Sequence, residues 1–332
     1  MRVSPDKGDM RGKVLAALTT LALAAALVSC SGGTRLDAPP GTGKVIVDAD
    51  MGELNDDAQA LFLLAAAEQV DLLGVTTVGG NTWPEEGTAY ALRQLELIGR
   101  ADVPVVTGET NVPASREGYV GALERPRPAS PRALATPPHG GYAAGGPTPG
   151  GAADFIAGQV SRHPGEVTVF ALGPATNLAR VVRDHPEAVP LIKEVVYLGA
   201  ADESAEFNRW FDPAASAAAF AAPFPRRLVV TLEAADRIGM DRETYGRVVA
   251  GPATPVRTLF KELQGPLFAK DAGHRLPVWD AVAAAAFLDP GVVADADGRT
   301  VREVDQDRFW DLYAGLLTPP GSGSSPAAPA PA

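Results

Sequence analysis

The chain has 332 residues, and its hydrophobic fraction of 46% is enough to fill a large core in one α/β domain or two ordinary ones. Its formal net charge of −11, with no run of lysine and arginine, argues against binding to nucleic acid, which needs clustered basic side chains. The composition therefore indicates a globular protein whose partner is a small molecule.

The N-terminus has the features of a targeting segment. Basic residues ending at Lys13 precede the apolar run "VLAALTTLALAAALVS", which is short for a transmembrane helix. The run ends in "LVSC", which resembles the lipobox of bacterial lipoproteins, where the signal is removed and the cysteine is lipidated. We therefore predict a lipoprotein signal peptide over 1–29 and an extracytoplasmic protein attached to the bacterial cell membrane only through Cys30. The alternative is an ordinary free cysteine in a signal region.

Segments rich in Pro, Gly, Ser and Ala flank the rest of the chain. These segments, 30–42 and 319–332, carry too little apolar bulk to pack, so we predict a flexible linker and a disordered tail. The folded domain is then expected over 43–318.

Apolar runs rich in β-branched residues alternate with helical patterns inside this domain. The predicted strands are "KVIVDA", "DLLGVTTV", "VPVVTG", "VTVFALG", "EVVYLGA" and "RLVVTL". The predicted helices begin near Asp56, Pro84, Ala152, Ala175, Asp212, Asp241, Pro255 and Val278. This alternation predicts an α/β fold with a mainly parallel, doubly wound open sheet and helices on both faces.

An acidic cluster follows the first strand. Asp48, Asp50, Asp56 and Asp57, with Glu53 among them, lie where the strand should pass into a helix. Like charges this close repel strongly in a poorly solvated site, so they persist only where water, hydrogen-bond donors or a cation neutralise them. Ligands of such sheets bind beyond the carboxyl ends of the strands, which is where "TTVGGN" and "LGPATN" also lie.

Five ordered blocks resemble the inosine-uridine-preferring nucleoside hydrolase superfamily, in a divergent branch and a lipoprotein form. The blocks are "DADMGELNDDA", "GVTTVGGN", "FALGPATNLARVVRDHPEAVPLIKEVVYLGA", "AEFNRWFDPAAS" and "LPVWDAVAAAAFLDP". They span most of residues 44–290. The resemblance implies a nucleoside hydrolase-like fold and calcium-dependent hydrolysis of the N-glycosidic bond of ribonucleosides, releasing base and ribose for nucleoside salvage.

The resemblance also implies roles for particular residues. The calcium ligands would be Asp50, Asp57, Asp280 and the backbone carbonyl of Leu172, and Asp50 would accept a proton from a calcium-bound water. Residues expected to contact the ribose are Asp56, Asn81, Glu206 and Asn208. Apart from the resemblance, Trp279 is adjacent to Asp280 in the sequence, so we expect its indole to lie over the crevice and stack on the leaving base. The simpler alternatives are a helix cap for Asp56, a turn role for Asn81, a solvated loop position for Glu206 and core packing for Trp279.

Some features depart from the family pattern. The spacing from Asp50 to Asp56 is six residues, where the family usually has four, and the loop after "VVYLGA" lacks the family's asparagine. Trp279 stands where many members carry a histidine that protonates the leaving base. No general acid is evident from the sequence, and His139, which is more simply a surface-loop residue, and His274 are the first candidates to replace it.

Two other functions stay open at this level. One is a calcium-dependent binding lipoprotein for ribosylated or other sugar ligands that has lost turnover. The other is a phosphatase of the haloacid-dehalogenase type built on "DAD", which fits poorly because Met51 and Gly52 do not match that family's pattern. The sequence leaves base preference and homo-oligomerisation undecided.

Overall fold

The computed structural model describes residues 36, 39–111, 125–200, 202 and 206–317. The predicted signal peptide, Cys30, most of the linker and the C-terminal tail lie outside the described residues. Within these ranges no helix is both long enough and apolar enough to cross a membrane.

Ten strands are present in the described part of the chain. They are β1 (Gly43–Ala49), β2 (Val70–Thr77), β3 (Val105–Thr107), β4 (Val167–Ala171), β5 (Glu194–Leu198), β6 (Arg227–Val230), β7 (Gly239–Met240), β8 (Leu276–Pro277), β9 (Val293–Asp297) and β10 (Thr300–Val304). The first six coincide with the six predicted strands.

Twelve α-helices accompany these strands in the same ranges. They are α1 (Asp56–Ala66), α2 (Pro84–Leu97), α3 (Ala152–Arg162), α4 (Thr176–Asp184), α5 (Phe207–Phe211), α6 (Pro213–Ala221), α7 (Leu232–Asp236), α8 (Arg242–Val249), α9 (Pro255–Leu263), α10 (Gly265–Lys270), α11 (Trp279–Leu288) and α12 (Gln306–Leu317). Short 3-10 helices cover Pro186–Leu191 and Pro290–Val292. Every predicted helix start lies within one residue of an observed start.

The main sheet has the order β3-β2-β1-β4-β5-β6-β10-β9. Neighbouring strands in this sheet are parallel, except that β9 and β10 form an antiparallel hairpin at one edge. The predicted fold class is therefore confirmed. Because the chain winds outward in opposite directions from β1 and β4, a crevice opens beyond the carboxyl ends of these two strands.

Helices cover both faces of the sheet, and each face has its own apolar core. One core includes side chains of α1, α11 and α12, and the other includes side chains of α3, α4 and α6. Helix α11 packs directly against α1. Its run of buried alanines, Ala283–Ala286, leaves little side-chain bulk between the two helix axes. This packing brings together the N-terminal ends of two helices whose first turns are both acidic.

Candidate active site

Three carboxylates from two distant segments meet at the crevice. Asp56 and Asp57 open α1, Asp280 is the second residue of α11, and one oxygen of each lies within 4.8 Å of the others. Asp57 and Asp280 are buried, whereas Asp56 is partly exposed. The packing of α1 on α11 therefore creates a cluster that the sequence separates by more than two hundred residues.

Asp50 reaches the same crevice from the end of β1. The backbone N–H of Asn81 donates to its Oδ2 at 2.6 Å, and the side chain is buried. Glycines at the ends of two neighbouring strands allow this approach. A β-carbon at Gly80 would collide with the Asp50 carboxylate, and one at Gly173 would lie 2.9 Å from its Oδ1.

Asn55 holds the acidic start of α1 in place. Its Oδ1 accepts from the backbone N–H groups of Gly52 at 2.9 Å and Ala58 at 3.3 Å, and its Nδ2 donates to Asp57 Oδ2 at 2.6 Å. The N-cap is therefore Asn55, and a capping role for Asp56 is wrong. Asp56 is left to face the crevice.

The cluster is electrostatically costly without a neutralising partner. Burial, together with the nearby carboxylates, raises the pKa of Asp50 to about 7. Burial raises the pKa of Asp56 to about 6, and burial with the surrounding carboxylates raises the pKa values of Asp57 and Asp280 well above their ordinary range. Burial is the largest cause of each shift, because removing a carboxylate from water disfavours its charged form.

Within the described part of the chain, two carboxylate oxygens in the cluster have no hydrogen-bond donor. Oδ1 of Asp57 and Oδ1 of Asp280 are buried without a partner among the described residues. Buried polar atoms are normally paired, so these atoms need a ligand that accepts their lone pairs. Carboxylate oxygens are the donors that hard divalent cations prefer, and the residues present therefore fit a metal ion.

A cavity of about 560 Å³ opens directly above the cluster. The residues that line it are Asp50, Gly52, Asn55, Asp56, Asn81, Thr82, Leu172, Leu198, Glu206, Phe207, Asn208, Leu232, Leu276, Pro277, Trp279 and Asp280. It brings together all the site residues predicted from the sequence except Asp57, which lies beneath in the cluster, and Cys30, which lies outside the described residues. No lysine, arginine or histidine is among these lining residues.

Residues after β5 form the wall opposite the acids. Glu206 caps α5 by accepting from the N–H groups of Asn208 at 3.0 Å and Arg209 at 3.1 Å. It is buried, so the solvated loop position considered for it is wrong. Asn208 donates through Nδ2 to the carbonyl oxygen of Leu172 at 2.5 Å, and this oxygen keeps a second lone pair for another partner.

Two predicted contact residues have more than one structural role. The side chain of Asn81 is exposed within a bend, and only its backbone N–H contacts Asp50. Trp279 lines the cavity, packs partly against the apolar core and donates through Nε1 to Asp236 Oδ1 at 3.2 Å. The cavity-facing and packing roles of Trp279 are therefore compatible.

Neither candidate histidine lies on the cavity wall. His139 pairs through Nε2 with Glu262 Oε2 at 2.6 Å on a separate groove, and its backbone N–H donates to Glu53. His274 packs edge-on against Phe268, with 4.7 Å between ring centroids. The described part of the cavity wall thus supplies no histidine to protonate a leaving group.

Asp48 belongs to the support beneath the site and does not line the cavity. Its Oδ1 accepts from Thr76 Oγ1 at 2.6 Å and from Asn177 Nδ2 at 2.7 Å, which ties β1 to β2 and α4. Two further residues at the cavity, Asn55 and Phe207, are not among those predicted from the sequence. Asn55 is a favoured capping residue just before Asp56, and Phe207 lies between two predicted contacts, so both carried a sequence signal.

Comparisons with known proteins agree on one family. The sequence model of the inosine-uridine preferring nucleoside hydrolases matches residues 45–312. The pyrimidine-specific ribonucleoside hydrolase RihA of Shewanella baltica is 31% identical over 271 residues, which cover 76% of this chain and 77% of the relative. Uridine nucleosidase 1 of Arabidopsis thaliana is 33% identical over 193 residues, covering 53% of each protein.

A solved plant nucleoside hydrolase shares the fold. Its TM-score is 0.65 at 23% identity, covering 85% of this chain and 100% of the other. The chain spans about half the length of the curated plant relatives that it matches.

The buried cluster predicts that a divalent cation stabilises the fold. Stripping the protein with a chelator should lower its melting temperature, and adding back calcium should raise it again. At a hundredfold excess of calcium over Kd, binding should add about 2.7 kcal/mol to the free energy of unfolding. Asp280→Ala should lose this response in a thermal-shift titration. The matched control Asp71→Asn, at an exposed position of β2, should keep it. An unchanged melting temperature in the wild type would contradict the site.

Proposed function

Because the chain belongs to the inosine-uridine preferring nucleoside hydrolase family, we propose that it hydrolyses the N-glycosidic bond of ribonucleosides, with calcium at the acidic cluster. The products are the free base and ribose. Relatives named for uridine and for pyrimidine ribonucleosides support this substrate class.

One observation carries the proposal. The cavity wall contains four acidic side chains, Asp50, Asp56, Glu206 and Asp280, and none of its described lining residues is basic. A neutral ligand alone cannot balance this charge, whereas a divalent cation can, and the hydroxyl groups of a sugar can donate hydrogen bonds to the remaining carboxylate oxygens. The unpartnered oxygens of Asp57 and Asp280 support the same conclusion.

The proposed metal ligands are Asp50, Asp57, Asp280 and the carbonyl of Leu172. A bound calcium would supply positive charge that makes water more acidic and that binds vicinal hydroxyl groups. Calcium is favoured over magnesium because it accepts more oxygen ligands in a less regular geometry.

Asp50 is the proposed proton acceptor for the attacking water. Its Oδ2 is held by the Asn81 N–H, which fixes the carboxylate on the cavity wall. Asp56, Asn81, Glu206 and Asn208 line the same cavity, and their side chains are the proposed hydrogen-bond partners of the ribose hydroxyl groups. The transition state has oxocarbenium character, so the surrounding negative charge stabilises it more than the ground state.

The leaving base is assigned to the apolar side of the cavity. Trp279 lies there with Leu232 and Leu276, where an indole can stack on a planar base. An indole is not a strong acid, so the proposal requires leaving groups that depart with little protonation.

The protein is further proposed to act outside the cytoplasm as a lipoprotein attached through Cys30. This part of the proposal is supported by the "LVSC" motif alone. A flexible linker over 30–42 would hold the domain away from the membrane surface.

Replacement of the proposed base should separate catalysis from binding. Asp50→Asn keeps an oxygen atom but removes the proton acceptor, so kcat should fall by about 10² to 10⁴ with a smaller change in ribose affinity. Release of free ribose from nucleosides in the presence of calcium measures this effect, with Asp71→Asn as the control. Wild-type protein that binds nucleosides but releases no sugar would instead support the calcium-dependent binding lipoprotein.

Leaving-group chemistry gives a second test. We expect p-nitrophenyl riboside and the cationic nicotinamide riboside to be cleaved far better than inosine or uridine, because their leaving groups need little protonation.

Trp279→Ala should raise KM for aromatic leaving groups, as stacking contributes on the order of 1 kcal/mol, while calcium binding stays unchanged. If Trp279→Ala instead unfolds the domain without a selective loss of base recognition, Trp279 is a packing residue.

Membrane attachment is tested by fractionating cells that express the full chain. Two or more acyl chains hold a protein firmly at a membrane, so wild-type protein should sediment with membranes. Cys30→Ser should be released or remain unprocessed. Finding the wild type in the cytoplasm with residues 1–29 intact would refute this assignment.

A further inference from the structure

A buried amide outside the cavity joins the two segments that supply the acidic cluster. Gln59 lies on α1 and is completely buried. Its Nε2 donates to the carbonyl oxygen of Asn55 at 3.2 Å and to that of Pro277 at 3.3 Å. Its Oε1 accepts from the hydroxyl of Tyr313 at 2.6 Å. All three partners are therefore reached by one side chain.

The chemistry of the partners fixes the orientation of this amide. Backbone carbonyls only accept hydrogen bonds, so the nitrogen of Gln59 must face Asn55 and Pro277. The oxygen must then face Tyr313, whose hydroxyl is left to donate. Tyr313 is itself completely buried on α12, where it packs against Phe309 and Trp310. Tyr313 on α12 thus completes the hydrogen bonding of the Gln59 amide and holds it in this orientation.

Each carbonyl belongs to a segment that carries proposed metal ligands. Asn55 caps α1 and donates to Asp57, so a shift of its backbone moves that carboxylate. Pro277 lines the cavity and precedes the start of α11, where Asp280 lies in the first turn. The Gln59 amide is a short physical link between these two places.

We infer that Gln59, held by its hydrogen bond from Tyr313, is a positioning residue that fixes the spacing between the Asp57 and Asp280 carboxylates and so tunes affinity for the divalent cation. This inference rests on the proposed function for the cation site. Carboxylates of like charge repel each other and separate wherever their backbones can move. A link that resists this separation holds the ligand oxygens ready for the cation, as hydrogen bonds outside the ligand shell do in other metal sites.

Tyr313→Phe tests the link with the smallest change, because it removes only the hydroxyl that donates to the Gln59 amide oxygen. Calorimetric titration of chelator-stripped protein with calcium should show an affinity at least about tenfold lower than in the wild type. The matched control is Tyr197→Phe, which removes an equally buried hydroxyl that donates to Ala219 at 3.4 Å in the other core. Equal calcium affinity in the two variants would overturn the inference.

Gln59→Glu distinguishes positioning from a general effect of charge. A carboxylate offers no pair of N–H groups to the two carbonyls, but it adds negative charge beside the cluster. If charge alone governs the site, calcium should bind as tightly as in the wild type or more tightly. Positioning by Gln59 predicts weaker binding, and tighter binding would overturn it.

A readout without metal separates failure of this inference from failure of the proposed function. In apo protein, the backbone amides of Gln59 and Val282, which bond within the first turns of α1 and α11, should exchange with solvent faster in Tyr313→Phe than in Tyr197→Phe. Should the wild type bind no calcium, the proposed metal site fails. The comparison of amide exchange still tests whether Gln59 links α1 to α11. Faster exchange in Tyr313→Phe than in Tyr197→Phe supports this link, and equal exchange in the two variants overturns it.

Discussion

The structure is organised around negative charge that is held away from water. Two unit charges 4 Å apart repel by about 4 kcal/mol at an effective dielectric constant of about 20, and the crevice contains several such carboxylates. The fold reduces this cost by placing Asp56, Asp57 and Asp280 in the first turns of two helices, where the positive end of each helix dipole lies. The remaining charge is the physical basis for proposing a cation.

The support beneath the acids matters as much as the acids themselves. Backbone N–H groups and amide side chains, from Asn81 and Asn55, fix one oxygen each of Asp50 and Asp57. Glycine at position 80 lets a neighbouring strand end pass close to Asp50. These contacts hold both carboxylates in place, and Oδ1 of Asp57 is left without a partner in the described part of the chain, so the ligand set is arranged before any ligand arrives. Such prior arrangement is what makes a site selective as well as charged.

The central sheet and the cavity residues were predictable from the sequence to different degrees. Parallel strands are buried on both faces and read as continuous apolar runs, so β1 to β6 were evident. The edge hairpin β9–β10, "VADADGRTVREV", mixes charged and apolar residues and reads as a loop. Gln59 was visible as one polar residue in an apolar helix, but its partners Pro277 and Tyr313 lie 218 and 254 positions away. Only the folded packing of α1, α11 and α12 brings them together.

The loop between Asp50 and Asp56 shows why ligand spacing along the chain is a weak guide to a site. Its six-residue spacing exceeds the four usual in the family, yet both acids line one cavity. The loop is anchored on α2 through Gln94, which donates to the carbonyl of Gly52 at 2.9 Å, and on the loop of His139, whose N–H donates to Glu53. The position of Asp56 is set by where α1 begins, not by the length of the loop that precedes it. In this chain the His139 loop therefore supports the acidic loop from outside the cavity, which accounts for a histidine near the site that makes no contact with the cavity wall.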